Sequence, residues 1–169
     1  MQKAKNIVII SPFFFPEPIS TGKFNTDVAL KLQEEGHQVT VLCSHPFYPD
    51  WKTRYSSEKL EGITIIRGGN KIKYPNKISL RRIVLEIWYA LFILKNIKKH
   101  QNKIDVIIPV FPPSLAFYTA SFFIKKEIKK TGIIHDLQII YSSQKKGLFN
   151  KLITFFIKRV EKSCFKTCD

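Results

Sequence analysis

The sequence predicts an α/β domain of the doubly wound kind, with a mostly parallel sheet. Three observations carry this expectation. Short unbroken β-branched runs, NIVII at 6–10 and QVTVLC at 38–43, have the pattern of strands buried on both faces. Stretches of helical periodicity separate such runs along the chain. The first strand, helix and strand fit within residues 6–43, which calls for parallel strands joined by a right-handed crossover.

The remaining elements follow in order. From Lys23 onward, Phe24, Val28 and Leu32 recur at helical spacing with Ala29 alongside. Thr21 is the expected N-cap and Gly36 the expected left-handed stop. ITIIR at 63–67 is a third strand, closed by Gly68 and Gly69. Residues 80–99 read as a long helix with a wide apolar face. DVIIPV at 105–110 is a strand, 114–130 a helix, GIIH at 132–135 a strand, and 147–166 a last amphipathic helix. No internal repeat or low-complexity linker divides the chain, so one domain over 1–169 is expected.

Composition narrows the function classes. A hydrophobic fraction of 44% and 13% aromatics exclude a disordered chain. The net charge of +15 and pI of about 9.8 favour anionic partners: nucleic acid, phosphorylated small molecules or an acidic membrane surface. The cations are mostly Lys, and Arg is the better fork for base edges. With no recognition motif, a nucleic-acid binder is disfavoured. The richness in Lys, Ile, Asn and Phe also fits an AT-rich coding sequence, which accounts for charge without any partner. Cys43, Cys164 and Cys168 show no CxxC spacing, hence neither a disulfide framework nor a zinc motif. Cys43 reads as a core residue, and Cys164 and Cys168 share a helix face, as suits a reducing cytosol.

The N-terminal MQKAKN enters a strand without a signal-peptide pattern. The apolar run 83–94 is too short to span a bilayer and contains Glu86; the run 104–124 is broken by Asp105 and three prolines. A cytoplasmic protein, soluble or peripheral on the membrane, is expected. Residues 80–99 carry Trp88, Tyr89 and Phe92 with Arg81, Arg82, Lys95, Lys98 and Lys99 at the ends. The helix over 114–130 ends in KKEIKK. The last helix sets Phe155 and Phe156 against Lys158, Arg159 and Lys162. Packing on the sheet with a solvated Lys rim accounts for any one of these helices. Their repetition makes contact with an anionic membrane surface an expectation.

Ligands of open α/β sheets bind at the carboxyl ends of the strands, so the loops there are the candidate sites. SPFFFPEPISTGKF leads into a helix N-terminus, whose free amides and dipole suit a phosphate or diphosphate. Gly22 lets backbone approach a ligand and Lys23 adds charge. The loop is neither GxGxxG nor a P-loop. The plainer alternative makes Thr21 only a cap and Gly22 only a turn. SHPFYPDW at 44–51 holds His45, Tyr48 and Trp51, equipment for a sugar or planar ligand, or simply a packed loop. FPPS ends in Ser114, a natural cap. HDLQ opens with His135 and Asp136, which could orient a polar substrate or move a proton, or be structural.

The run IVIISPFFFPEPISTGKFNTDVALKLQEEGHQVTVLCSHPFYPDW resembles the start of a family 4 glycosyltransferase, retaining and of GT-B fold, closest to the colanic-acid and capsule branch. IDVIIPVFPPSLAF and GIIHDLQ resemble that branch in the same order, so the resemblance covers essentially the whole chain. PEPISTGKF and HPFYPDW are its specific parts. The resemblance implies a Rossmann-like, acceptor-binding N-terminal domain. In complete enzymes it faces a C-terminal nucleotide-sugar domain bearing Glu-x7-Glu, a spacing that does not occur here. It implies that Thr21, Gly22 and Lys23 face the donor diphosphate, although many relatives have Gly-Gly where this chain has Thr21-Gly22. It implies an acceptor side shaped by Glu17, His45, Tyr48, Trp51 and Ser114. His135 and Asp136 would be the catalytic positions beside the transferred sugar. The implied reaction moves a sugar from a UDP- or GDP-sugar to a lipid-linked saccharide in capsule, exopolysaccharide or O-antigen synthesis. It runs at the inner face of the cytoplasmic membrane, with no metal and no cofactor beyond the donor substrate. The absent domain would come in cis or in trans, and the abrupt end at FKTCD fits that. The alternative is a non-catalytic acceptor- or membrane-binding subunit, or a remnant, that needs a partner chain.

Overall fold

Residues 3–136 and 148–168 are described in the computed structural model, and they form an α/β domain. The order is β1 (Asn6–Ile10), α1 (Ser20–Glu34), β2 (Gln38–Ser44), β3 (Ile63–Gly68), α2 (Ile78–His100), a short 3-10 turn (Gln101–Lys103), β4 (Val106–Phe111), α3 (Leu115–Ser121), β5 (Lys129–Lys130), β6 (Ile133–Ile134) and α4 (Leu148–Thr167). The six strands among the described residues are parallel, in the order β3-β2-β1-β4-β5, with β6 also on β4. The fold is Rossmann-like and doubly wound.

The β-branched runs occupy the buried centre of the sheet, as their unbroken hydrophobicity requires. Alternation along β1 sends Val8 and Ile10 to one face, where they meet Leu42, Ile107 and the buried sides of α2, α3 and α4. Ile7 and Ile9 point to the other face and join Val39, Val41, Cys43 and Ala29 of α1. Helix α1 ends in a Schellman motif. Gly36 takes φ +86, its amide donates to the Gln33 carbonyl, and the His37 amide donates to the Leu32 carbonyl. The expected glycine stop is therefore present, one residue beyond the C-cap Glu35.

Three local expectations need correction. The helix predicted over 114–130 stops at Ser121, and Lys129–Lys130 is a short strand. Its amides pair with β4, Lys129 to the Asp105 carbonyl and Thr131 to the Ile107 carbonyl. The open edge of β4 takes residues whose propensity is helical. β5 and β6 keep one register along β4, with Lys129 opposite Val106 and Ile133 opposite Val110, and so act as one interrupted edge strand. Phe24, expected on the core face of α1, is exposed; Gly22, Asn25 and Ala29 are the buried positions. Thr21 does not cap α1. The helix begins at Ser20, the N-cap is Ile19, and no side chain caps it.

Candidate functional site at the sheet switch point

β1 lies at the centre of the sheet. The chain steps outward through β2 and β3, then returns to β4 on the other side of β1. The carboxyl ends of β1 and β4 therefore flank the switch point, where doubly wound sheets place ligands. The loop after β1 and the first turn of α1 stand on one side. His135 and Asp136, directly after β6, stand on the other.

A polar chain joins the two sides. Asn25, on the inner face of α1 and 1% exposed, donates through Nδ2 to Ser11 Oγ at 2.9 Å and to the Phe13 carbonyl at 3.1 Å. Its Oδ1 stands 3.4 Å from His135 Nε2, at the long end of hydrogen-bond range. With both Asn25 Nδ2 hydrogens used, Oδ1 is the acceptor in this contact and His135 Nε2 its donor. The Phe24 ring meets His135 edge-on at 5.3 Å. The His135 amide donates to the Phe111 carbonyl, which anchors the backbone to the end of β4. Asp136 is exposed; Leu137 and Gln138 of the same loop lie outside the described residues.

The first turn of α1 presents amides that no side chain caps. Lys23 is exposed there and makes no ion pair among the described residues. Gly22 is explained by the loop itself. A Cβ at Gly22 would stand 3.1 Å from the Glu17 carbonyl oxygen and 3.2 Å from Glu17 Cβ. The Gly22 carbonyl accepts from Thr26 Oγ1 at 2.8 Å, and Thr26 Oγ1 accepts the Phe15 amide at 3.2 Å. The proline-rich loop is thus sewn onto α1.

Glu17, His45, Tyr48 and Trp51 gather in a second group whose polar atoms are largely engaged by the protein. Glu17 is 3% exposed, and its carboxylate accepts the Phe47 amide at 3.1 Å and the Tyr48 amide. Burial raises its pKa above the ordinary value, outweighing those two amides and the nearby Arg54 and Arg67, which lower it. Its carboxylate joins the first loop to the second. His45 Nδ1 accepts the Ser56 amide at 3.1 Å, and its ring stacks on Tyr55. Burial first, then Arg67, lowers its pKa, so the acceptor form of the imidazole is favoured. Trp51, at φ +57, packs on Phe47 and Tyr74 with the Arg81 guanidinium 4.5 Å from its ring centroid. Tyr48 remains half-buried at the rim, its carbonyl accepting from Arg54.

Ser114 occupies the N-cap position of α3 but makes no capping bond. Its hydroxyl is buried without a partner among the described residues, and Glu86 Oε2 accepts the Leu115 amide at 2.9 Å. The structure therefore brings Thr21, Gly22 and Lys23 to the same edge as His135 and Asp136, while Gly22 also abuts Glu17, whose carboxylate belongs to the second group. Asn25 and Arg67 are not among the residues singled out from the sequence. Arg67 reaches the Phe15 carbonyl at 2.6 Å and Cys43 Sγ at 3.4 Å, tying β3 to the first loop. Asn25 did leave a signal: a polar residue between Gly22 and Ala29, at core spacing on an otherwise apolar helix face. A separate cavity of about 370 Å³, lined in part by Asn6, Gln33, His37 and Thr64, lies at the opposite edge of the sheet and contains none of these residues.

No protein-family model matches the chain, and no curated protein matches it. Among the described residues no helix is long and apolar enough to cross a membrane.

Proposed function

We propose that this chain is the acceptor-side, N-terminal half of a retaining GT-B glycosyltransferase. The full enzyme moves a sugar from a UDP- or GDP-sugar to a lipid-linked saccharide. The observation that carries this reading is the switch-point cluster. An uncapped helix N-terminus, with a Lys23 that makes no ion pair among the described residues, faces the carboxyl edge, and His135 stands on the same edge beside Asn25.

In this reading the first turn of α1 and Lys23 stabilise the negative charge that develops on the leaving diphosphate. His135 presents a ring oriented by Asn25 to the transferred sugar, and Asp136 lies next to it at the rim. Glu17, His45 and Trp51 hold the second loop in shape, and Tyr48 contributes the acceptor contact. The nucleotide is bound chiefly by a domain with the Glu-x7-Glu spacing, supplied in cis or in trans. The same cluster also serves a non-catalytic subunit that lends its acceptor side to a partner chain.

The test is heteronuclear NMR titration of the chain with inorganic diphosphate, UDP-glucose, GDP-mannose and a short-chain lipid-diphosphate sugar. Shifts confined to the amides of 20–25 and 135–136, lost in Lys23→Ala, are expected. Absence of shifts there with every ligand would remove the reading. If shifts appear, addition of a nucleotide-sugar domain separates the enzyme from the subunit by whether labelled sugar is transferred.

A further inference from the structure

The long helix α2 has an outward face that its sequence hides. Its large aromatic residues turn inward: Tyr89 is buried and donates to the Leu42 carbonyl, and Trp88 Nε1 donates to the Tyr74 hydroxyl. Leu85, Ile93 and Ile97 are buried on the same side. The opposite side is aliphatic and open to solvent. Leu80, Ile83, Ile87 and Leu91, spaced three and four apart, are 48%, 48%, 52% and 63% exposed. They form one stripe about 16 Å long. Exposed cations, Lys95, Lys98 and Lys99, bound it at its C-terminal end. Lys98 Nζ stands 3.9 Å from the Phe123 ring centroid, so the exposed Phe122 and Phe123 adjoin the basic end.

Charge indicates what covers the stripe. Residues 62–104 contain ten Lys and Arg and one acid, Glu86. Glu86 points to α3, where it accepts the Leu115 amide. A strongly basic part of the chain therefore carries this exposed apolar face. A second copy docked there would bring two such cationic segments together, which like-charge repulsion opposes. An anionic lipid surface complements both features: its headgroups meet the cations, and its acyl boundary takes the aliphatic stripe.

We infer that α2 is a membrane-docking helix. It lies in the plane of an anionic bilayer through Leu80, Ile83, Ile87 and Leu91, with Lys95, Lys98 and Lys99 on the headgroups. This inference goes beyond the proposed reaction and does not depend on it. The vesicle experiment leaves the diphosphate titration untouched, and the reverse holds.

The experiment is cosedimentation of the chain with vesicles of phosphatidylcholine alone, and with about one third phosphatidylglycerol. Binding to the anionic vesicles is expected, weakening with salt, with far less binding to the neutral ones. Ile87→Glu with Leu91→Glu should lower the partition coefficient at least tenfold. Each of Lys95→Ala and Lys98→Ala should lower it about fivefold. Tyr55→Ser, at an exposed position outside α2, should leave it unchanged. As a check without new charge, Leu91→Trp should show fluorescence quenched by brominated lipid. Three results would each overturn the inference: no binding to anionic vesicles at low salt, equal binding by the Ile87→Glu, Leu91→Glu variant, or a solution dimer which that variant dissociates.

Discussion

Glu17 is the joint between the two loops at the carboxyl edge, and removing its carboxylate tests that reading. In Glu17→Ala the Phe47 and Tyr48 amides lose their acceptor in a site that is 3% exposed at Glu17. Each buried donor left unpaired costs about 1–3 kcal/mol, so the pair costs about 2–6 kcal/mol. A domain of ordinary stability has about 5–15 kcal/mol in all. Glu17→Gln keeps an acceptor oxygen and removes the buried charge, so it should lie within about 1 kcal/mol of wild type. The pH dependence has a definite sign. The folded protein holds the Glu17 proton more tightly than the unfolded chain, because burial raises the pKa above 4.5. This group's contribution is full below that value and falls as pH rises through the raised one. Glu17→Gln should therefore gain on wild type as pH rises from about 4 toward neutrality. Urea unfolding at a series of pH values reads both effects. A Glu17→Ala loss under about 1 kcal/mol, or equal losses for Ala and Gln, would refute the two-amide account.

Further expectations concern other joints of the same framework. Gly69→Ala places a Cβ 2.7 Å from Trp88 Cη2 at φ +79, so it should cost about 1–3 kcal/mol and lower Tm by several degrees in a calorimetric scan. Asn25→Ala removes the donors to Ser11 Oγ and the Phe13 carbonyl and should cost about 1–3 kcal/mol by urea unfolding. It should also free the His135 ring, seen as a changed imidazole nitrogen shift in NMR. His45 runs opposite to Glu17: burial lowers its pKa below 6.5, so its contribution is full above that value and is lost as pH falls through the lowered one. The stability gap between wild type and His45→Gln should accordingly shrink in urea melts below about pH 6.

The central strands were legible because burial on both faces leaves an unbroken β-branched run, and β1, β2, β3 and β4 fall within a residue or so of the runs that announce them. Gly36 was legible because a left-handed helix stop needs a residue without Cβ. The segment after Ser121 was not, since KKEIKK has helical propensity and only the free edge of β4 makes Lys129–Lys130 a strand. Phe24 shows the same limit at a single residue: its spacing fits the helix period, but the core face is decided by where α1 lies on the sheet.

The site divides along the same line. The sequence by itself determined that a polar, proline-stiffened loop and a helix N-terminus follow β1, and that a His-Asp pair follows the last short strand. Those are properties of neighbouring residues. Only the tertiary structure decided which side chains are free. Glu17 and His45 are engaged by the amides of Phe47, Tyr48 and Ser56, while Lys23 is left without an ion pair among the described residues. It also joined Asn25 to His135 across 110 positions, and turned Trp88 and Tyr89 inward so that Leu80, Ile83, Ile87 and Leu91 face out. A sequence pattern states which residues share a face. Which face meets the sheet, and which polar atom finds a partner, depends on packing between segments distant in the chain.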